Sequence, residues 1–213
     1  MSSSTAALNS DRPFSVLQAF RRKDCLPLMA HRVWRIEQGI VRTLTWDEAG
    51  HVTTFGLWGR GDLVGQPLTQ QMPYQIECLT PVVATDISLG HHSHYWQSAL
   101  LNHLWHSEEL FRIAHQPTVM RRLTQLLHWL AQRFGKPVPQ GQLLSPILTH
   151  QQLAEILGTT RVTVTRLLTR LEAEGQLVKF KKSAGNWTHG IDLEYEKRAL
   201  LLPHPQIVPN PLP

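Results

Sequence analysis

Short apolar stretches broken by turn residues fill the chain from about Phe14 to Ile87. Val33-Trp34-Arg35-Ile36-Glu37 alternates and stops at Gln38-Gly39; Ile40 to Trp46 follows and stops at Asp47-Glu48-Ala49-Gly50. Val52 to Trp58 runs into Gly59-Arg60-Gly61-Asp62, and Tyr74 to Leu79 and Val82 to Ile87 complete the series. Stretches of this length, rich in β-branched and aromatic residues and near-regularly spaced, predict strands of an antiparallel sandwich or small barrel.

Near residue 92 the period changes from two to between three and four. Leu100, Leu101, Leu104, Trp105, Glu108, Phe111 and Ala114 recur as on one face of a long helix. The pattern leaves open whether that stripe packs on the strands, on a twin helix from a second subunit, or on both. Pro117 removes a helical hydrogen bond and should end or kink the helix. A second helix is predicted from about Thr118 to Phe134, with Leu123, Leu126, Leu127, Leu130 and Phe134 inward. Gly135 closes it, and Pro137 and Pro139 mark a linker.

Residues 148–175 carry the most specific pattern. Thr149 with Gln152 is a capping box, in which each side chain satisfies a free backbone N–H at a helix start. Leu153, Ala154, Ile156 and Leu157 give the helix an apolar side, and Ala154 is small enough for a close helix crossing. Gly158 supplies the left-handed residue of a tight inter-helix turn, and Thr159 or Thr160 caps the next helix. In that helix Val164, Leu167, Leu168 and Leu171 face inward, while Arg161, Val162, Thr165, Arg166 and Thr169 face out. The outward side holds no acid and two arginines at helical spacing. Arginine forks fit guanine, methyls fit thymine and hydroxyls reach phosphate, so this side suits the major groove. After Gly175, Leu177 to Lys182, the turn Ser183-Ala184-Gly185-Asn186 and a strand ending Gly190-Ile191-Asp192-Leu193 read as a hairpin wing with lysines for backbone phosphates.

Composition adds a lean in the same direction. The net charge is +5 and the pI about 9.6, which suits a polyanionic partner without specifying one. Two separated cysteines, Cys25 and Cys78, exclude a disulfide framework and a four-cysteine metal site within the chain. They read as reduced thiols, at least one of them buried. No basic stretch followed by an apolar one opens the chain, and no apolar run approaches the roughly 20 residues of a membrane helix. A cytoplasmic protein with no membrane partner is expected.

Gln152-Leu153-Ala154-Glu155-Ile156-Leu157-Gly158 followed by Thr160 to Leu168 resembles the helix-turn-helix of the Crp/Fnr family of bacterial regulators. The stretch Thr160–Leu168 closely resembles the recognition helix of the cyanobacterial nitrogen-control (NtcA-type) branch. More loosely, Trp34 to Arg42 resembles the family's early β-roll strands, and Gly61-Asp62-Leu63-Val64-Gly65 its Gly-Asp turn. The resemblance implies an α+β fold: an N-terminal double-stranded β-roll of cyclic-nucleotide-binding type, a long central dimerisation helix and a C-terminal winged helix-turn-helix. On this reading residues 1–13 are a loose arm, 14–90 the roll, 91–116 the central helix, 117–200 the DNA-binding domain and 201–213 a Pro-rich tail. A transcription regulator is implied, acting as a homodimer on an inverted repeat in double-stranded DNA, with RNA polymerase as a further partner. The DNA-reading set is Arg161, Val162, Thr163, Thr165, Arg166, Thr169, Lys179, Lys181 and Lys182. The dimer set is Leu100, Leu101, Leu104, Glu108 and Phe111.

The sequence also departs from that family. Members that bind cyclic AMP carry a Glu after the glycine and an Arg-Ser pair about ten residues on. Here Gly65 is followed by Gln66-Pro67, the later stretch is Gln71-Met72-Pro73-Tyr74-Gln75, and no basic residue lies between Arg60 and Ile87. A buried phosphate or dicarboxylate without a cation is costly, so cyclic AMP and 2-oxoglutarate are disfavoured and no other effector is indicated. His91, His92 and His94 precede the central helix and His103 and His106 lie on it, which raises a haem- or metal-sensing alternative, with Cys78 a further haem ligand. Helix-capping and surface histidines are the simpler reading, and no cofactor or metal is expected. No nucleophile elbow, phosphate-binding glycine loop or HExxH occurs, so an enzyme is not expected. A DNA-silent interaction protein on the same fold is the competing class; the acid-free Arg161/Arg166 side argues against it.

Overall fold

The alternating segments form the strands expected of them in a computed structural model that describes residues 16–88, 93–138, 141–145, 147–181 and 198–203. The expected arm at 1–13 lies outside the described residues. Contacts divide the chain into two units, Met1–Thr43 with Leu57–His103, and Leu44–Gly56 with Leu104–Pro213.

In the first part of the chain the strands are β1 (Leu17–Phe20), β2 (Arg32–Gln38), β3 (Val41–Trp46), β4 (Val52–Trp58), β5 (Leu63–Val64), β6 (Gln75–Cys78) and β7 (Val82–Ser88). They make two open sheets, ordered β1-β7-β2-β5 and β4-β3-β6, with no closed barrel among the described residues. Val33, Ile36, Leu57, Ile76, Val82 and Ala84 are buried, with alternation clear on β6 and at the start of β7 and consecutive residues buried on β2 and β4. The indole of Trp34 donates to the Pro27 carbonyl at 2.8 Å. The register of β2 on β7 shifts between Ile36 and Gln38. Gly39 follows at φ +89, where a Cβ would lie 2.2 Å from the Pro81 carbonyl oxygen. Only glycine fits there. β1 was not expected, because most of its residues are exposed and show no alternation.

A buried polar chain runs through this unit. The Trp58 indole donates to Thr43 Oγ1 at 2.9 Å, and its ring stacks on His103 with centroids 4.0 Å apart and planes 7° from parallel. The Tyr74 hydroxyl bonds Thr43 and the Gly65 backbone; burial nevertheless pushes its ionisation well above the ordinary phenol value. Cys78 is buried and Cys25 exposed, both as free thiols.

The helices that follow are α1 (Ser93–Ala114), α2 (Val119–Phe134), α3 (His150–Leu157) and α4 (Arg161–Ala173). The break before Pro117 falls where its missing N–H puts it. Thr118 caps α2, accepting from the Arg121 N–H. Trp129 and Ala131 join the expected leucines in the buried face of α2, whereas Phe134 is only half-buried, edge-on to Trp129.

Two expectations are corrected. The stretch expected as a Pro-rich linker contains β8 (Lys136–Val138), paired antiparallel with β9 (Gly141–Leu144). Pro137 is tolerated because β8 is the edge of its sheet, where a strand can lack a donor. The expected tail begins too early: β11 (Arg198–Pro203) carries Leu201–Pro203 into the sheet between β9 and β10 (Val178–Lys181). Leu200 and Leu201 pair with Leu144 and Leu143 there, a β-sheet partnership that hydropathy alone did not reveal. The remainder of the tail, Pro139 and the expected return strand at Gly190–Leu193 lie outside the described residues.

Candidate nucleic-acid interface

α3 starts where its capping box starts it. Thr149 Oγ1 accepts from the Gln152 N–H at 3.2 Å, and Gln152 Oε1 accepts from the Thr149 N–H at 2.9 Å. Gly158 ends it at φ 61 and ψ 47, and the Thr159 N–H bonds the Ala154 carbonyl at 3.0 Å. Thr160 then caps α4, its hydroxyl accepting from the Thr163 N–H at 3.2 Å. Left-handed Gly158 and the Thr160 cap thus set the turn between the helices, and the Thr149 box fixes the start of α3, each N-cap contributing about 0.5–2 kcal/mol.

The two helices pack on α2 and on each other. Leu153, Ala154, Ile156 and Leu157 are buried on α3, and Val164, Leu168 and Leu171 on α4. Leu167, expected inward, is half-buried. Arg122 on α2 was not singled out in the sequence, yet its Nη1 donates to the Leu157 carbonyl at the end of α3 at 3.0 Å. An arginine on a predicted amphipathic helix looks like surface; only the fold shows what it reaches.

Burying those leucines turns the other side of α4 outward. Arg161, Val162, Thr165, Arg166 and Thr169 are all exposed, Val162 at 78%. Arg161, Val162, Thr165 and Arg166 together line one shallow concavity of about 400 Å³. α4 has no acid before Glu172, so two guanidiniums face solvent beside three methyl-bearing side chains. Thr163 is half-buried, with its hydroxyl 3.0 Å from that of Thr160. It sits on the capping turn, beside the exposed set. The hydroxyls of Thr165 and Thr169 also turn away from the outer side, donating to the carbonyls of Arg161 at 3.0 Å and Thr165 at 3.1 Å.

The wing is described in part. Lys179 and Lys181 lie on β10, which pairs antiparallel with β11, so the partner strand stands at Arg198–Pro203. Lys182 and the expected wing turn at 183–186 are outside the described residues.

On α1, Leu100, Leu101, Leu104, Trp105, Glu108 and Phe111 are exposed, while Ala99, Leu110 and Ile113 are buried. The apolar stripe therefore lies on the side of the helix that the described residues leave uncovered. His103 stacks on Trp58; His91 and His92 are outside the described residues. Among the described residues no group of three or more His, Cys, Asp or Glu stands together as a metal set. No helix among them is long and apolar enough to cross a membrane.

Residues 121–184 match the Crp-like helix-turn-helix domain. The chain is 39% identical over 162 residues to the regulatory protein CysR of Synechococcus elongatus, covering 73% of this chain and 76% of that protein. It is 28% identical over 172 residues to the global nitrogen regulator of the same organism, covering 72% and 75%. Among solved structures, a CRP-family transcriptional regulator from Thermus thermophilus matches with a TM-score of 0.67 at 20% identity, over 87% of this chain and 91% of that one.

Proposed function

The chain belongs to the Crp/Fnr family of DNA-binding transcription regulators, and from that premise we propose that it binds an inverted-repeat operator as a homodimer, without a cyclic nucleotide. The observation that carries the reading is the outer side of α4. Arg161 and Arg166 flank exposed methyl groups on a helix whose other side is anchored on α2 and α3. Such a side enters a major groove, with each arginine matched to guanine O6 and N7. Lys179, Lys181 and Lys182 are assigned to phosphates. Likeness of Thr160–Leu168 to the nitrogen-control recognition helix supports GTA and TAC half-sites.

The uncovered stripe on α1 supports the dimer. Leu100, Leu101, Leu104 and Phe111 are each about half exposed or more, and a second copy of the same helix would cover them. A two-fold pair would set two recognition helices about 34 Å apart, one turn of DNA. RNA polymerase is the further partner this reading includes.

Two features support a regulator without cyclic AMP. No basic residue lies between Arg60 and Ile87 to meet a phosphate. The Gly65 backbone and the Thr43 hydroxyl, polar groups that an effector could have used, are met by Tyr74. The same reading assigns no haem, metal or enzymatic activity. Purified protein should select one family of inverted-repeat duplexes from genomic fragments. Calorimetry should show no binding of cyclic AMP, and metal analysis no stoichiometric metal. Selection of no duplex would refute the DNA reading, and micromolar cyclic AMP binding would refute that of the sensor unit.

A further inference from the structure

Within the DNA-binding reading just given, a residue outside the recognition helix bonds one of its exposed residues. His150, the first residue of α3, places Nδ1 2.9 Å from Thr165 Oγ1. That hydroxyl is also 3.0 Å from the Arg161 carbonyl, to which it donates.

The two bonds together fix the proton. A threonine hydroxyl has one hydrogen, and a carbonyl oxygen can only accept. With the hydrogen on Arg161, the imidazole contact requires His150 Nδ1–H as donor and Thr165 Oγ1 as acceptor. The reverse assignment would set two lone-pair-bearing oxygens 3.0 Å apart with no hydrogen between them.

This bond bears on rotamer choice. Threonine in a helix divides between two χ1 wells, because its hydroxyl can bond the preceding turn from either. The imidazole supports one of them. With Oγ1 held between His150 and the Arg161 carbonyl, the methyl is the one side-chain group of Thr165 left for contact, on an exposed residue that lines the concavity shared with Arg161, Val162 and Arg166. We propose that His150 is a positioning residue for base reading: it holds the Thr165 hydroxyl against the helix so that the methyl is presented to a thymine methyl beside the arginine-read guanine. The sequence pattern left the β-branched residues of this side open to either role, methyls to thymine or hydroxyls to phosphate; the bonding of Oγ1 favours the first for Thr165.

The test uses the full-length protein and the duplex it selects, with each half-site thymine replaced singly by deoxyuridine, which lacks only the 5-methyl. The wild type should bind one such duplex about fourfold less tightly per half-site, the worth of one methyl-sized apolar contact. Thr165→Val keeps the methyl and should keep that preference. Thr165→Ser keeps the hydroxyl and should abolish it. His150→Ala should shrink the preference in the wild-type background and change nothing in the Thr165→Val background, where no hydroxyl needs holding. His150→Asn, whose amide nitrogen can replace Nδ1–H, should restore it.

The proposal is overturned if Thr165→Ser retains the preference, or if His150→Ala weakens thymine and deoxyuridine duplexes equally in both backgrounds. The latter would make His150 a phosphate contact or a structural residue. A wild type indifferent to every thymine methyl would also overturn it while leaving specific DNA binding intact. If no duplex is selected at all, the DNA reading itself falls.

Discussion

Arg122 joins two chain segments through one side chain: its Nε donates to the Gln116 carbonyl at 2.8 Å and its Nη1 to the Leu157 carbonyl at 3.0 Å. The Leu157 carbonyl belongs to the last turn of α3, where no intrahelical donor is available and the helix dipole is negative. A guanidinium there satisfies a terminal acceptor and places α2 at the turn that aims α4. Arg122→Met should lower the stability of the second unit by about 1–2 kcal/mol, below the full value for a charged hydrogen bond because the side chain is partly exposed. Urea unfolding followed by far-UV circular dichroism measures it. An unchanged midpoint would show the two bonds to be incidental to stability.

The exposed stripe on α1 yields a prediction about assembly. Leu101 and Leu104 are 48% and 52% exposed on a helix whose opposite side is buried. Changing both to Glu places charge where the proposed interface would exclude water, at a cost no rim contact offsets. The double variant should sediment as a monomer and bind the selected duplex at least tenfold more weakly, an order-of-magnitude expectation for losing one of two linked half-sites. A wild type that is monomeric both free and on DNA would end the dimer proposal.

The cysteines give a pH prediction. Burial pushes the Cys78 thiol up to about 12, with Asp24, Cys25 and Glu77 adding to the shift. Desolvation also raises Cys25, although that residue is exposed. A folded-state pKa raised above the unfolded value of about 8.5 means that the unfolded chain loses its proton first. The Cys78 contribution to stability is therefore complete below about 8.5 and is lost as pH rises toward about 12. Denaturation midpoints should fall from about pH 8 to about pH 10, and less steeply in Cys78→Ala. Iodoacetamide at about pH 8 should label Cys25 slowly and Cys78 only after unfolding; rapid labelling of Cys78 in the native protein would contradict this.

The parts of the interface that could be seen in the sequence are those governed by local chemistry. Thr149, Gln152, Gly158 and Thr160 act on backbone groups within four residues, so their types and spacing already specify the helix ends. The exposure of Arg161, Val162, Thr165, Arg166 and Thr169 follows from the roughly 3.6-residue helical period once Val164 and Leu168 are placed inside. What escaped depends on partners far away in the chain. Pro137 looked like a linker because an edge position in a sheet is a property of neighbouring strands, and Leu201–Pro203 looked like tail because β9 is nearly 60 residues earlier. Arg122 and His150 belong to the same class, since their partners Leu157 and Thr165 lie 35 and 15 residues along the chain.

Groups that read bases and groups that hold the backbone respond differently to substitution. Arg166 and Arg161 are exposed on the acid-free side of α4, where an arginine fork can match guanine O6 and N7. Each such pair discriminates against a wrong base by about 1–3 kcal/mol. Arg166→Ala should therefore lose specific binding and flatten the preference at the half-site guanine, leaving weak association that salt easily disrupts. Lys181 on β10 is assigned to a phosphate, which every sequence presents alike. Lys181→Ala should weaken matched and guanine-substituted duplexes by the same factor and reduce the slope of log affinity against log salt by about one. Competition binding on both duplexes at several salt concentrations distinguishes the two behaviours in a single set of titrations. Were Arg166→Ala to keep full discrimination for guanine, Arg166 would not be the residue that reads it, and the same titrations on Arg161→Ala would decide whether α4 reads guanine at all, since Arg161 is exposed on the same helix.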